Sequence, residues 1–273
     1  MKKATGWRKV VINATLSILA LLWVFPLVFM LYNSFKGQAE YNLGYFWDFP
    51  QGNELVNNLE YIQSSAGVFD GMLSSLIYSL CGTVFAVAFA LLAAYALVYL
   101  KIRRRMFWFL FIYSGTIFPF QVYLIPIYKG YSALGFYNTR FGMILFYSAI
   151  CIPFAMFVFR NFFLGISSEV CEAARVDGAS NFGVLRRIIL PMSAAPLSVV
   201  FITQFSWCWN DLLFGLTFTK SPDTRPIMAS LSLMGTKHVP ALLLACLVAS
   251  IPTMVLFFFL HKKMELGLVY TDK

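Results

Sequence analysis

Between two long apolar stretches the chain carries a polar run suited to docking rather than to bond-making chemistry. It reads Glu172-Ala173-Ala174, then Arg175, Asp177 and Gly178, then Ile188 and Leu190-Pro191. Charged side chains do not stay in hydrocarbon without a partner, so this run faces water. Ser167 or Ser168 is placed to cap a short helix, with Glu169 in its first turn, where the helix dipole favours an acid. That helix is expected to reach about Asp177, with Val170, Ala173 and Ala174 on one face and Glu172 and Arg175 on its flank. Small residues on a face let another surface approach closely. Gly178 permits a turn that a Cβ would resist. A second short helix is expected over Asn181–Leu190, bearing Arg186 and Arg187, and Pro191 sits where the next membrane helix can begin. Residues 167–190 therefore read as a bent pair of helices across one membrane face. An ordinary amphipathic surface helix is the simpler alternative, but it leaves the order of acidic, small, glycine and proline positions unexplained.

Other reactive residue types do not gather into a reaction centre. A Gly-x4-Gly-Lys-Ser/Thr phosphate loop is absent from the sequence, so ATP hydrolysis by this chain is not expected. Cys81, Cys151, Cys171, Cys208 and Cys246 are scattered without metal-ligand spacing and read as small packing residues. His238 and His261 fall at opposite edges of the last apolar stretch. Asp211 is the one acid inside an apolar interval, where a charge costs about 3 kcal/mol or more unless paired or wet. Two readings stay open. Asp211 and Asn210, with Gln121 beside Pro119, line a translocation path; or Asp211 and Asn210 hydrogen-bond a break in a neighbouring helix.

The elements that must position these residues are membrane helices. Sixty per cent of residues are hydrophobic and only 12% are charged, about half the charge of a soluble domain. The charges cluster, leaving apolar intervals at about 10–31, 72–100, 106–128, 141–159, 192–219 and 239–260. A helix needs about 20 such residues to cross ~30 Å of hydrocarbon. The expected fold is an all-α membrane protein, a single transmembrane domain over 1–273 with six transmembrane helices. Continuous apolar runs exclude a β-barrel wall, which alternates. The largest hydrophilic piece, 32–71, is expected to form a small cap outside. Pro26, Pro119, Pro126, Pro153, Pro196 and Pro252 punctuate the spans, as bends around a pathway or as ordinary packing kinks.

Orientation follows from the cations. Lys2, Lys3, Arg8, Lys9, Lys101, Arg103, Arg104, Arg105, Arg160, Arg175, Arg186, Arg187, Lys262, Lys263 and Lys273 lie on one side of the expected spans. Only Lys36, Lys129, Arg140, Lys220, Arg225 and Lys237 lie on the other. The excess marks the cytoplasmic face, so both termini are expected inside. Net charge +9 is accounted for by anionic lipid headgroups and implies no nucleic acid. The first apolar run exceeds a signal's core and lacks a small-x-small cleavage site, so it reads as a retained anchor. The sequon at Asn13-Ala14-Thr15 lies within it and reads as chance.

The run from Glu172 to Ser180, followed by Arg187-Ile-Ile-Leu-Pro191, resembles the EAA loop of permease subunits in binding-protein-dependent ABC importers. The chain is similar to the carbohydrate-uptake branch, and within it to the smaller permease subunit of maltose-type systems. Further matches are Phe118-Pro119-Phe120-Gln121 with Leu124-Ile125-Pro126, Leu134 to Thr139, Arg160-Asn161-Phe162-Phe163 and Trp209-Asn210-Asp211. The likeness covers roughly 71–267; the segment Lys220–His238 and the tail from Gly267 depart from the maltose pattern. The resemblance implies a non-catalytic subunit in a bacterial inner membrane. Its implied partners are a second permease subunit, as a heterodimer, an ATPase dimer and an extracytoplasmic solute-binding protein. It implies no cofactor on this chain, with ATP and Mg on the ATPase. Residues 167–190 would be the coupling loop. Glu172, Ala173, Ala174, Arg175, Asp177 and Gly178 would meet the ATPase cleft, Glu172 facing a basic group and Gly178 setting the bend. An ion-coupled secondary transporter is the alternative; it calls for several membrane-embedded ionisable groups and an inverted repeat, of which only Asp211 is visible.

Overall fold

The computed structural model describes residues 6–64 and 67–270, with side chains to 261, and every regular element among them is helical. In chain order these are α1 (Gly6–Asn33), α2 (Gln38–Asn42), α3 (Leu55–Ser64), α4 (Val68–Tyr99), α5 (Arg105–Tyr113), α6 (Phe120–Leu134) and α7 (Arg140–Leu164). There follow α8 (Ser168–Val176), α9 (Asn181–Val184), α10 (Leu190–Met192), α11 (Ala194–Trp209), α12 (Leu213–Phe218), α13 (Ile227–Met234) and α14 (Val239–Tyr270). Lys2, Lys3, Lys273 and the side chains of Lys262 and Lys263, counted above toward orientation, lie outside the described residues.

Among the described residues α1, α4, α7 and the 239–261 part of α14 are each long and apolar enough to cross a membrane. The number rises to six if each of two bent pairs is one span. In the first pair, residues 105–116 meet α6 at 92°. The apolar interval 106–128 is therefore not one straight helix. Pro119 caps α6 and cannot donate a backbone hydrogen bond, and its ring pushes Phe118 out of helical geometry. Tyr123 donates its hydroxyl to the Gly115 carbonyl across the break, at 3.2 Å. In the second pair, residues 181–192 meet α11 at 76°. The interval 192–219 is likewise divided, because α11 stops at Trp209 and α12 starts at Leu213.

The chain forms two compact units, one of residues 1–68 with 231–250 and one of 69–230 with 251–273. In the first unit no residue in the most apolar window of α1 is fully buried. Outside it, Lys36 is fully buried: its Nζ donates to the Tyr45 carbonyl at 2.5 Å and lies 4.7 Å from the centre of the Tyr32 ring. Asn58 Nδ2 donates to the carbonyls of Ser34 and Lys36, at 2.8 and 3.0 Å, and thereby ties α3 to the end of α1.

In the second unit α4 and α7 meet at Gly82. A Cβ placed there would come within 2.8 Å of the Tyr147 Cβ, a contact that only glycine avoids. One apolar core joins Tyr78 and Ala86 of α4 with Phe146 and Tyr147 of α7 and Phe214 and Phe218 of α12. A second joins the later part of α4 to α7, α8 and α11. The 219–226 segment is stapled to this unit by Asn138, which sits at φ +56, a region an asparagine tolerates better than most residues. Asn138 Oδ1 accepts from the backbone N–H groups of Lys220 and Ser221 and from the Thr224 hydroxyl, at 2.7, 3.0 and 2.6 Å. Tyr78 and Ser74 of α4 donate to the Thr224 and Asp223 carbonyls, at 2.8 and 2.7 Å. Replacing Gly82 by alanine should destabilise the protein by about 1–3 kcal/mol through overpacking; an unchanged thermal unfolding midpoint in detergent would contradict the close helix contact.

Candidate functional site

The polar run folds as an elbow. Ser167 caps α8 and its Oγ accepts from the Glu169 N–H at 3.3 Å. After Asp177 the chain turns at Gly178, with φ +84, where the Ala179 N–H reaches the Ala174 carbonyl at 2.9 Å and the Gly178 N–H reaches that of Arg175 at 3.0 Å. This is the Schellman closure, and it needs the left-handed residue that glycine supplies most cheaply. Nothing lies within 4 Å of a Cβ at Gly178, so backbone conformation rather than space sets the requirement. Ser180 caps α9, accepting from the Gly183 N–H at 3.1 Å. The expected single helix over 181–190 is interrupted by a wide π-helical turn, Leu185–Ile189. Pro191 would press its ring on the carbonyl four residues earlier, at Arg187, and a widened turn relieves that clash.

The face expected to hold Val170, Ala173 and Ala174 splits. Cys171 is buried, and Ala174 and Ala179 pack beside it against the second core with Tyr95, Phe163, Val184 and Ile189. Facing outward are Glu172, Ala173, Arg175 and Asp177, with Val176 at 87% exposure and Phe182 at 66%. An aliphatic side chain so exposed beside two acids makes an edge of mixed chemistry, apolar and acidic. Arg186 and Arg187 are exposed on the second arm.

What holds the inner face was not legible as a motif. Tyr95 donates its hydroxyl to the Asn181 carbonyl at 2.8 Å, and Tyr99 donates to that of Phe163 at 3.0 Å. Arg175 in turn donates from Nη2 to the Tyr99 carbonyl at 3.2 Å. Both arms of the elbow are thus tied to the last turns of α4. Arg160 lies 4.2 Å over the Phe109 ring and ties α7 to α5 nearby. Burial pushes the Cys171 thiol above its ordinary pKa, with the Arg175 charge pulling the other way.

The second group of expected residues falls at the start of α6 and around the break between α11 and α12. Gln121 is exposed in the first turn of α6. Asn210 is exposed at the end of α11 and donates back to the Ser206 carbonyl at 2.8 Å. Asp211 accepts from the Tyr147 hydroxyl at 2.9 Å and from the N–H groups of Gly215 and Phe214 at 3.1 and 3.4 Å. It fills the role of a cap at the start of α12, where the first N–H groups of a helix lack partners. A cleft of about 310 Å³ opens nearby, lined by Thr116, Phe120, Cys151, Thr203, Gln204 and Trp207 among others; Gln121 is not part of its wall. Cys151 and Cys208 stand 3.7 Å apart as free thiols.

Helices throughout the described residues, several of them apolar enough to span, define a polytopic membrane component with a polar elbow fastened to its second unit. Residues 86–268 match the family described as "binding-protein-dependent transport system inner membrane component", and the chain belongs to it. It is accordingly a permease component and not an ATP-hydrolysing subunit. The osmoprotective compounds uptake permease protein of Synechocystis sp. is 27% identical, over 98% of this chain and 93% of that protein. The arabinooligosaccharides transport system permease protein of Halalkalibacterium halodurans is 29% identical, over 92% of this chain and 91% of that one. In fold the chain matches a subunit of a bacterial ABC transporter involved in import of the acidic polysaccharide alginate. The TM-score is 0.80 at 20% identity, over 96% of this chain and 99% of that one.

Two measurements probe this geometry. Changing Asp211 to alanine leaves the Tyr147 hydroxyl and two backbone N–H groups without a partner, and should cost about 1–3 kcal/mol of stability. Lost uptake with an unshifted unfolding midpoint would instead assign Asp211 to the solute. At pH 7–8 the raised pKa and burial should make Cys171 react with N-ethylmaleimide much more slowly than an exposed thiol does; alkylation at the rate of free glutathione would contradict the buried inner face.

Proposed function

We propose that this chain is a transmembrane permease subunit of an ATP-driven importer for a sugar or sugar-like solute, seated in a bacterial inner membrane with both termini in the cytoplasm. Its partners are a second permease subunit, an ATPase dimer and an extracytoplasmic solute-binding protein. The six apolar intervals are its spans, and 167–190 is the loop that receives the ATPase. Glu172, Ala173 and Asp177 form the ATPase-facing edge, with Val176 added to it. Arg175, exposed on the same edge, reaches back to the Tyr99 carbonyl, and Ala174 works from behind through the core. Gly178 fixes the angle between the arms. Gln121 and Asn210 are the polar groups offered to a passing solute, and Asp211 holds the helix break beside Asn210.

The observation that carries this reading is the elbow's two-sidedness. Its inner face is packed and hydrogen-bonded to α4 and α7, while an apolar and acidic edge stays open to solvent. A groove closing on that edge would push α4 and α7 directly, which is what conversion of ATP-driven closure into helix tilting requires. Family membership supplies dependence on a binding protein. The solute class rests on the family and on relatives such as the arabinooligosaccharide permease. The ion-coupled alternative would need an embedded acid free to exchange a proton, whereas Asp211 is engaged in three hydrogen bonds.

Gentle affinity purification from native membranes should bring an ATPase with the chain. Glu172→Lys should abolish that association and reduce solute uptake at least tenfold while membrane insertion remains normal. Uptake at the parental rate by this variant would remove the elbow from the mechanism.

A further inference from the structure

The turn between α4 and α5 holds Lys101, Arg103, Arg104 and Arg105. All four side chains are exposed, and none forms a hydrogen bond or ion pair with the described residues. So many like charges in one turn repel unless a counter-charge lies among them. Arg104 also adopts φ +58 and ψ +40, left-handed geometry that glycine or asparagine would accept at lower cost. The turn borders an open groove of about 530 Å³. Lys101, Arg104 and Arg105 supply its cations and Val98, Leu100 and Met106 its apolar lining, while Arg103 is not part of it. Leading away from the groove, α5 exposes Met106, Phe107, Trp108 and Phe111, at 53, 56, 47 and 64%.

A cationic rim above an exposed apolar wall suits an amphiphile with an anionic head. A soluble anion would meet the cations and leave the wall without a partner. We propose that this groove binds an anionic phospholipid, its phosphate among Lys101, Arg104 and Arg105 and its acyl chains along Met106, Phe107 and Phe111. Tyr99 also lines the groove, and its carbonyl accepts from Arg175 of the elbow. A bound lipid therefore braces the residue that ties the elbow to the bundle, and makes the tie sensitive to membrane composition. The inference rests on the proposed function only in placing this turn at the membrane surface.

The test uses the full chain in detergent, with native mass spectrometry to follow retention of phosphatidylglycerol against phosphatidylcholine. Phosphatidylglycerol should be retained selectively. Near a charged bilayer each cation contributes about fivefold, so Arg104→Gln should weaken retention about fivefold and Lys101→Gln/Arg104→Gln/Arg105→Gln on the order of a hundredfold. Arg103→Gln, in the same turn but outside the groove, should change it little. The charge-preserving Lys101→Arg/Arg104→Lys/Arg105→Lys should retain the lipid, and an unshifted unfolding midpoint in the triple Gln variant shows that it folds. Equal loss with Arg103→Gln would mean a diffuse surface field, and equal retention of phosphatidylcholine would mean an unselective apolar wall; either overturns the site. Displacement of the lipid by millimolar inorganic phosphate, or loss of a co-purifying ATPase with lipid retention intact, would assign the cations elsewhere and equally overturn it. Lipid retention is read without transport, so failure here and failure of the permease reading give different results.

Discussion

A backbone carbonyl in hydrocarbon has no water to accept from, and the irregular parts of this chain are organised around that constraint. Tyrosine is a recurrent fastener here, since its ring is at home among apolar side chains while its hydroxyl reaches a backbone carbonyl. Tyr123 serves Gly115 at the break before α6, Tyr131 serves Gly142, and Tyr78 serves Thr224. Tyr95 serves Asn181 in the elbow and Tyr99 serves Phe163 near the end of α7. Stranded N–H groups are met by Asp211 at α12 and by Asn138 at the 219–226 segment. Each bond fastens one helix or loop to another segment of the second unit.

The elbow is the clearest product of this arrangement. A loop fastened only by its two chain ends would swing independently of the bundle. Here Cys171, Ala174 and Ala179 sit in the same core as α4 and α7, and two tyrosines and an arginine add directional bonds. The solvent-facing edge is left with Val176 and Phe182, apolar groups favourable to cover, and with acidic neighbours that a cover would have to pair. Anchorage behind and an exposed edge in front fit the proposed role of receiving a push.

Long apolar intervals were readable from sequence because twenty such residues have few ways to satisfy their backbone. They mark α1, α4, α7 and the membrane portion of α14 to within a few residues. Local chemistry was also readable: the Ser167 cap and the left-handed Gly178 depend on atoms a few residues away. Long-range partnership was not. Tyr95 and Asn181 are 86 residues apart, Tyr147 and Asp211 are 64 apart, and no pattern in one sequence pairs them. The same limit left Asp211 with two readings, because Tyr147 and the start of α12, which hydrogen-bond it, are distant in sequence or unmarked by any pattern. Pro119 signalled an irregularity, yet whether it would kink or end a helix depended on Tyr123 being placed to accept the broken geometry. Ala174 was assigned to the outer face because helical spacing gives relative positions around an axis but not which side meets the core.

The meeting of α4 with α7 at Gly82 has a mechanical corollary. Rods separated by no more than a hydrogen atom can neither roll nor slide past one another without first lifting apart, which the dense packing around Tyr147 opposes. They behave as one beam. Flexure in this unit is then expected where a rod is already severed, as at the corner ahead of Pro119, at Ser193 and between α11 and α12. A beam jointed only at such places has few degrees of freedom, so a short stroke at the elbow has a narrow choice of outcomes elsewhere in the unit.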